Sequence, residues 1–311
     1  MPAAITTESL GKTFRTPFGR TQQAVSALDL DVPEGTIFGL LGPNGAGKTT
    51  TILMLLGILH PSGGRYSLFG HPMGAVAARA RVGYLPEKFQ LPGFLAAKEF
   101  LRFQGRLHGL GGKLLEQRCD ELLGRVGLAD QAGSPISAFS KGMQQRLGLA
   151  QALLNDPDLV ILDEPTSALD PVGRMDVRAL IEDLKRRGKS VLLNSHILSD
   201  VERVCDRVAI LRKGRLEKQG PIAALAEGGV ALHMRVGNWT AELAARLGAL
   251  GRDLEVTVAA GIAEGQLAIG SEDRVPVIAD AIQEAGGRIF ALTPGRESLE
   301  DVFVRVMREE S

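Results

Sequence analysis

The stretch "TIFGLLGPNGAGKTTTILMLL", Thr36 to Leu56, constrains this chain more than any other. An apolar run, a glycine-rich turn and a second run of helical character read as strand, loop and helix in that order. From Gly42 to Thr50 the turn matches G-x-x-x-x-G-K-T/S, and a strand before it with a helix after it is the setting in which that pattern cradles phosphate. The loop is Gly42, Pro43, Asn44, Gly45, Ala46, Gly47, Lys48, Thr49 and Thr50. Gly45 and Gly47 let its backbone turn so that amide N–H groups point inward, and the helix N-terminus adds partial positive charge. Lys48 would reach the β- and γ-phosphates, and the Thr49 hydroxyl would meet Mg²⁺.

A mostly parallel sheet covered on both faces is expected around this loop, because "LVILDEP", "SVLLNSH" and "RVAILRKG" are short buried-strand runs alternating with helical patterns. "LVILDEP" delivers Asp163 to a strand's C-terminal edge, where open α/β sheets bind ligands. Asp163 is the expected water-mediated Mg²⁺ ligand, and Glu164, pointing elsewhere, the expected base that polarises an attacking water. His196, ending "SVLLNSH" at the same edge, would contact the γ-phosphate and hold the water and Glu164 in place.

The remainder of the chain reads as additions to that core. Between Arg79 and Pro135 strands are expected to give way to a helical insertion, in "LAAKEFLRFQGRLHGL" and "LLEQRCDELLGRVGL". After Pro221, Gly228 and Gly229 the order becomes βαββαβ with a final helix from Ser298, the split-βαβ arrangement of a small α+β domain. With 36 basic and 36 acidic residues in 311, no global field favours nucleic acid or an anionic membrane surface. Cys119 and Cys205 lie far apart without metal-ligand spacing and read as structural thiols of a reducing compartment. The longest apolar run, "ILMLLGIL", falls well short of the roughly 20 residues that span a bilayer, and the first residues carry no secretory signal. A soluble cytoplasmic chain is expected, with any membrane role supplied by a partner.

One further stretch, "AFSKGMQQRLGLAQALLNDPDLVILDEP", begins with a second polar helix start. Ser140 precedes apolar residues at helical spacing and is a natural N-cap, and Gly142 permits close backbone approach, so the first-turn amides form another anion-binding end. A single nucleotide seldom needs two such ends from one molecule. A head-to-tail pair of chains, each P-loop facing the partner's Ser140 helix under two-fold symmetry, resolves this.

Taken together, the P-loop, "SKGMQ", "ILDEP", "SALD" and the strand-end His196, in that order, resemble the nucleotide-binding subunit of an ATP-binding cassette (ABC) transporter. The resemblance implies a P-loop NTPase cassette over residues 1–220 with a helical subdomain at about 87–157, and a small ferredoxin-like accessory domain over 221–311. It implies ATP and Mg²⁺ sandwiched between two cassettes, in a homodimer or paired form, with hydrolysis separating them. Ser140, Gly142 and Gln144 fall in the family's signature loop, and Asp170 of "SALD" in the loop that couples the two sites. Phe14 stands where the family places an aromatic that stacks on adenine; a core phenylalanine is the alternative. "VGYLPEKFQL" aligns with the Q-loop, with Glu87 in place of the usual glutamine as a candidate Mg²⁺ ligand and Gln90 as a lesser substitute.

"GYLPE" and the ending "SLEDVFVRVM" look like the subgroup that serves type-2 exporters of drugs, polysaccharides or lipids. That implies a separate multi-span membrane permease, which would hold the chain on the inner face of the cell membrane. The segment from Glu87 to Phe103 is the candidate docking surface, with ordinary amphipathic packing as the alternative. Nucleic acid is not expected. The rival readings are an ATPase of the same type acting on ribosomes or DNA, and a nucleotide-sensing regulator.

Overall fold

In the computed structural model, which describes residues 2–15, 21–226, 230–296 and 298–308, the chain divides into two units, Met1–Gly220 and Pro221–Ser311. In the first, six strands form a sheet in the order Arg215–Pro221, Arg207–Arg212, Ile37–Leu41, Ser190–Asn194, Leu159–Asp163, Val82–Leu85. The pairings among the last five are all parallel. Ile37–Leu41, Leu159–Asp163 and Ser190–Asn194 are buried at every residue, as a parallel sheet covered on both faces requires. Parallel direction also decides where the chemistry lies. With Leu40 beside Asn194, Asp163 beside Asn194 and Leu85 beside Leu162, the loops after four strands emerge along one edge of the sheet.

Two features depart from the sequence expectation. The interval from Arg79 to Pro135 is not free of strands, because Val82–Leu85 forms the sheet's edge. Four residues including a glycine carry little strand signal, yet Gly83 is what lets the strand pass the helix Lys141–Ala152: a Cβ there would collide with the carbonyl of Ala152. Arg207–Arg212 is followed by a strand instead of a helix. Lys213 and Gly214 both have positive φ, 47° and 80°, the backbone of a type I′ hairpin turn.

A second, antiparallel sheet was not expected at all. Ala3–Arg15 pairs with Thr21–Leu28 on one side and Gly63–Leu68 on the other, with Asp31–Pro33 and His71–Pro72 completing it. Irregular register near Leu10 and Lys12 breaks the period-two alternation that would have announced it. Its Ile5, Leu10, Val25 and Leu28 share one buried core with Phe38, Leu40, Ile161 and Leu192 of the parallel sheet.

The helices Ala97–Leu107, Gly112–Arg125 and Lys141–Ala152 pack together, burying Phe100, Leu101, Leu115, Cys119 and Leu122. In the second unit the sheet order is Arg252–Ala259, Ile262–Ile269, Val230–Gly237, Arg288–Arg296, antiparallel throughout. Leu232, Met234 and Val236 of its central strand pack on Leu243, Leu247, Ile278 and Ile282 of the helices Ala241–Leu250 and Val275–Glu284. That is split-βαβ topology with a core of its own. The final helix, Leu299–Arg308, starts one residue beyond the expected Ser298. Among the described residues, no helix is long and apolar enough to cross a membrane.

Candidate functional site

At the C-terminal edge of the parallel sheet the chain turns from Leu41 through the glycine-rich loop into the helix Lys48–Leu55. The turn demands glycine at defined points. Gly47 caps the helix at φ 101°, where a Cβ would lie 2.5 Å from the carbonyl of Ala24, and at Gly42 (φ 153°) it would collide with the carbonyl of Leu211. The need for Gly42 is tertiary and invisible in local sequence. Lys48 Nζ donates to the carbonyls of Gly42 (2.6 Å) and Pro43 (3.1 Å), bending the side chain back over the loop.

Asn44, Gly45, Ala46, Gly47, Lys48, Thr49 and Thr50 line one side of a cleft of about 430 Å³, with Phe14, Glu87, Glu164 and Asn194 on the others. Phe14 is 40% exposed and stands at the mouth, with Lys12 Nζ 5.3 Å from the ring centroid, so it is no core residue. Gln22, Gln23 and Ala24 also line the cleft and were missed. Pairing of Phe14 with Gln22 and of Thr13 with Gln23 carries them there, a tertiary outcome with no motif.

Behind the cleft, Asp163 is 1% exposed. Its Oδ1 accepts a hydrogen bond from Asn194 Nδ2, while Oδ2 is buried with no close hydrogen-bond partner among the described residues. A buried carboxylate oxygen left unpaired is costly unless a cation or water completes it, and the Thr49 hydroxyl meets the same carboxylate. These groups, with Glu87 beside them, fit a divalent cation that takes further oxygens from a nucleotide. Among the described residues no cluster of three or more His, Cys, Asp or Glu could hold a metal unaided. Burial pushes the Asp163 carboxyl above its ordinary value, the Asn194 hydrogen bond opposes this, and Glu87 adds to it. Burial pulls the Lys48 ammonium down against the attraction of Glu164, Asp163 and Glu87.

At Glu164 the chain turns sharply, at φ 55°. Glu164 Oε2 lies 2.7 Å from His196 Nδ1, and a carboxylate partner makes that nitrogen the N–H donor. Burial raises the Glu164 carboxyl and the His196 hydrogen bond opposes the rise. The histidine side chain is 64% exposed, leaving Nε2 open to a ligand. Carboxylate and imidazole are thus already joined at the edge of the cleft.

The Ser140 helix start lines a different cleft. Ser140 caps the helix Lys141–Ala152, its Oγ accepting from Met143 N at 3.2 Å, and Gly142 and Asp170 lie beside it. Among the described residues, none lines both this cleft and the P-loop cleft. A Cβ on Gly142 would meet only ordinary contacts, 3.4 Å from Leu169 Cδ2, so packing within this chain does not require glycine there. Asp170 Oδ1 accepts from Gly173 N at 2.8 Å and caps the helix Pro171–Arg186. Gln144 turns its amide back to the Phe139 carbonyl at 3.1 Å, which removes that donor from the open face. Gln90 does not line the P-loop cleft; it lines an apolar groove with Phe89, Phe94 and Phe103, and a further cleft with Glu87 and Gln144.

Compared with known proteins, residues 25–167 match a family profile described as ABC transporter. An ABC transporter ATP-binding protein of Nostoc sp. is 41% identical over 99% of this chain and 91% of its own length. A Nod factor export ATP-binding protein I of Burkholderia lata is 41% identical over 65% of this chain and 67% of its own. Among solved structures, an ATP-binding subunit of an ABC transporter superposes with TM-score 0.65 and 31% identity over 71% of this chain and 91% of that one. A P-loop cleft backed by a buried carboxylate, a separate serine-capped helix start and identity sustained over nearly the whole length lead to one assignment: the chain belongs to the family of ABC transporter ATP-binding proteins.

Proposed function

We propose that two copies of this chain close on two ATP molecules, each gripped by the P-loop of one copy and the Ser140 helix of the other, and that closure and hydrolysis drive export through a separate membrane-spanning subunit. The observation that carries this reading is the separation of the two anion-binding helix starts into clefts that share no described residue. Each is half of a nucleotide site. Gly142, with room beside it that its own chain does not fill, suits a γ-phosphate or partner backbone arriving from outside.

In the closed pair Phe14 stacks on adenine and the loop amides with Lys48 hold the phosphates. Thr49 and Asp163, with Glu87 near, would hold Mg²⁺, which would supply counter-charge for the phosphate oxygens. Glu164 takes a proton as water attacks the γ-phosphorus and ADP leaves. His196, fixed through Nδ1 by Glu164, presents Nε2 to the γ-phosphate. The segment from Glu87 to Phe103 is the docking surface for the membrane subunit. Its helix buries Phe100 and Leu101, yet Phe103 and the neighbouring Phe94, 84% exposed, face an open apolar groove. Export is the direction named for the Burkholderia lata relative and is carried here by that likeness. The chain then works at the cytoplasmic face of the membrane, where its partner holds it.

Glu164→Gln tests the reading in one experiment. The variant should bind ATP, lose turnover by roughly 10² to 10⁴-fold as removal of a general base does, and accumulate as ATP-bound dimers. Pull-down of the tagged variant with ATP and Mg²⁺ from detergent-solubilised membranes should bring a stoichiometric multi-span protein. Ribosomes or DNA in its place would overturn export, and a monomer with ATP bound would overturn the shared site.

A further inference from the structure

The turn that aims Glu164 is held by a side chain from the other cleft's helix. Glu164 occupies the left-handed region at φ 55°, which a long side chain rarely adopts without support from its surroundings. Its N–H donates to the Asn194 carbonyl at 2.8 Å, fixing one end of the turn to the strand Ser190–Asn194. At the other end Gln145 Nε2 donates to the carbonyls of Glu164 (3.3 Å) and Pro165 (3.2 Å), and Ser167 Oγ also reaches the Glu164 carbonyl (3.1 Å). Gln145 is 4% exposed and belongs to the helix Lys141–Ala152, whose first turn is the Ser140 cleft.

We infer that Gln145 is a positioning residue: its amide holds the left-handed turn at Glu164 and ties the aim of that carboxylate to the seating of the helix Lys141–Ala152. This rests on the reading of Glu164 as the base. A helix pressed at its Ser140 end by one nucleotide would then carry its register to the carboxylate serving the other. Burial excludes water as a substitute donor, so loss of the amide takes the donor from the Pro165 carbonyl, leaves the Glu164 carbonyl to Ser167 alone and loosens the turn.

The test is a double-mutant cycle on the full chain, with Gln145→Met removing the donor at nearly constant volume and Gln145→Asn keeping the amide but shortening its reach. Each should lower kcat for ATP roughly tenfold to a hundredfold, the cost of a small misplacement, with KM within about twofold of the parent. In a Glu164→Gln background Gln145→Met should cost the residual rate nothing further, because both act through one group. Unchanged kcat in a folded variant overturns the inference. So does an equal loss in both backgrounds, or loss of cooperative melting in both variants, either of which makes Gln145 merely structural. Full turnover in Glu164→Gln alone removes the base reading, a failure visible before Gln145 is touched.

Discussion

The resemblance sets Glu87 where the family usually carries a neutral amide, and its charge is felt by two neighbours. It raises the Asp163 carboxyl further and favours the Lys48 ammonium. A carboxylate near a cation site strengthens the hold on that cation, by about 1 kcal/mol or less where solvent screens it. Glu87→Gln should therefore raise the Mg²⁺ concentration for half-maximal hydrolysis by roughly fivefold or less, and superimposable titrations would place Glu87 outside the cation's reach. At Phe14 the expectation is loss of adenine affinity: Phe14→Ala should weaken ATP binding by about 1 to 3 kcal/mol, as base–aromatic stacks do elsewhere. Equal affinity by calorimetry would remove the stack. The two residues also show what sequence can disclose. Lys48, Asp163 and Glu164 were legible because a local motif or a buried strand places them. Phe14 needed a resemblance, and Gln22, Gln23 and Gln145 needed the fold, since strand pairing and helix packing bring them to the site.

Among the elements, the edge opposite the site has its own fastening. Arg81, Asp158 and Lys189 each immediately precede a strand, Val82–Leu85, Leu159–Asp163 and Ser190–Asn194 respectively. Asp158 accepts from Arg81 Nε at 2.7 Å and from Lys189 Nζ at 3.2 Å, so one carboxylate ties three strand starts together. The hydrogen bond from Arg81, then that from Lys189, holds its carboxyl below the ordinary value. A carboxyl lowered on folding contributes stability above its unfolded pKa, near 4, and the contribution is lost as pH falls through the lower folded value. Since the group is partly exposed, Asp158→Asn should cost about 1 kcal/mol or less at pH 7 and progressively less below pH 4. Urea midpoints of parent and variant at pH 7 and pH 3 measure this, and a gap undiminished at pH 3 would deny the ion pair its part. The strands of this sheet were legible from their apolar runs, except the two at its edges, Val82–Leu85 and Arg215–Pro221. The antiparallel sheet was not, because its irregular register hides the alternation on which strand recognition depends.

Across the whole molecule, each unit encloses a separate apolar core, and each can be read by its own probe. The only tryptophan, Trp239, packs against the core of Leu232, Leu243 and Ile278 in the second unit. Residues 221–311 produced alone should therefore unfold cooperatively in urea with Trp239 fluorescence reporting the transition. About 90 residues with two helices on one sheet face are enough for a marginal domain. The first unit offers a different handle, since a ligand that binds only the folded state stabilises it by mass action. ATP with Mg²⁺ at 100 times its Kd should raise the stability of residues 1–220 by about 2.7 kcal/mol, read by circular dichroism on the Glu164→Gln form so that the nucleotide persists. Chelating the Mg²⁺ should remove most of that gain if Asp163 and Thr49 hold the cation against the phosphates. A gain that survives chelation would assign the binding energy to the loop amides and Lys48 alone, and would leave the unpaired oxygen of Asp163 without its cation.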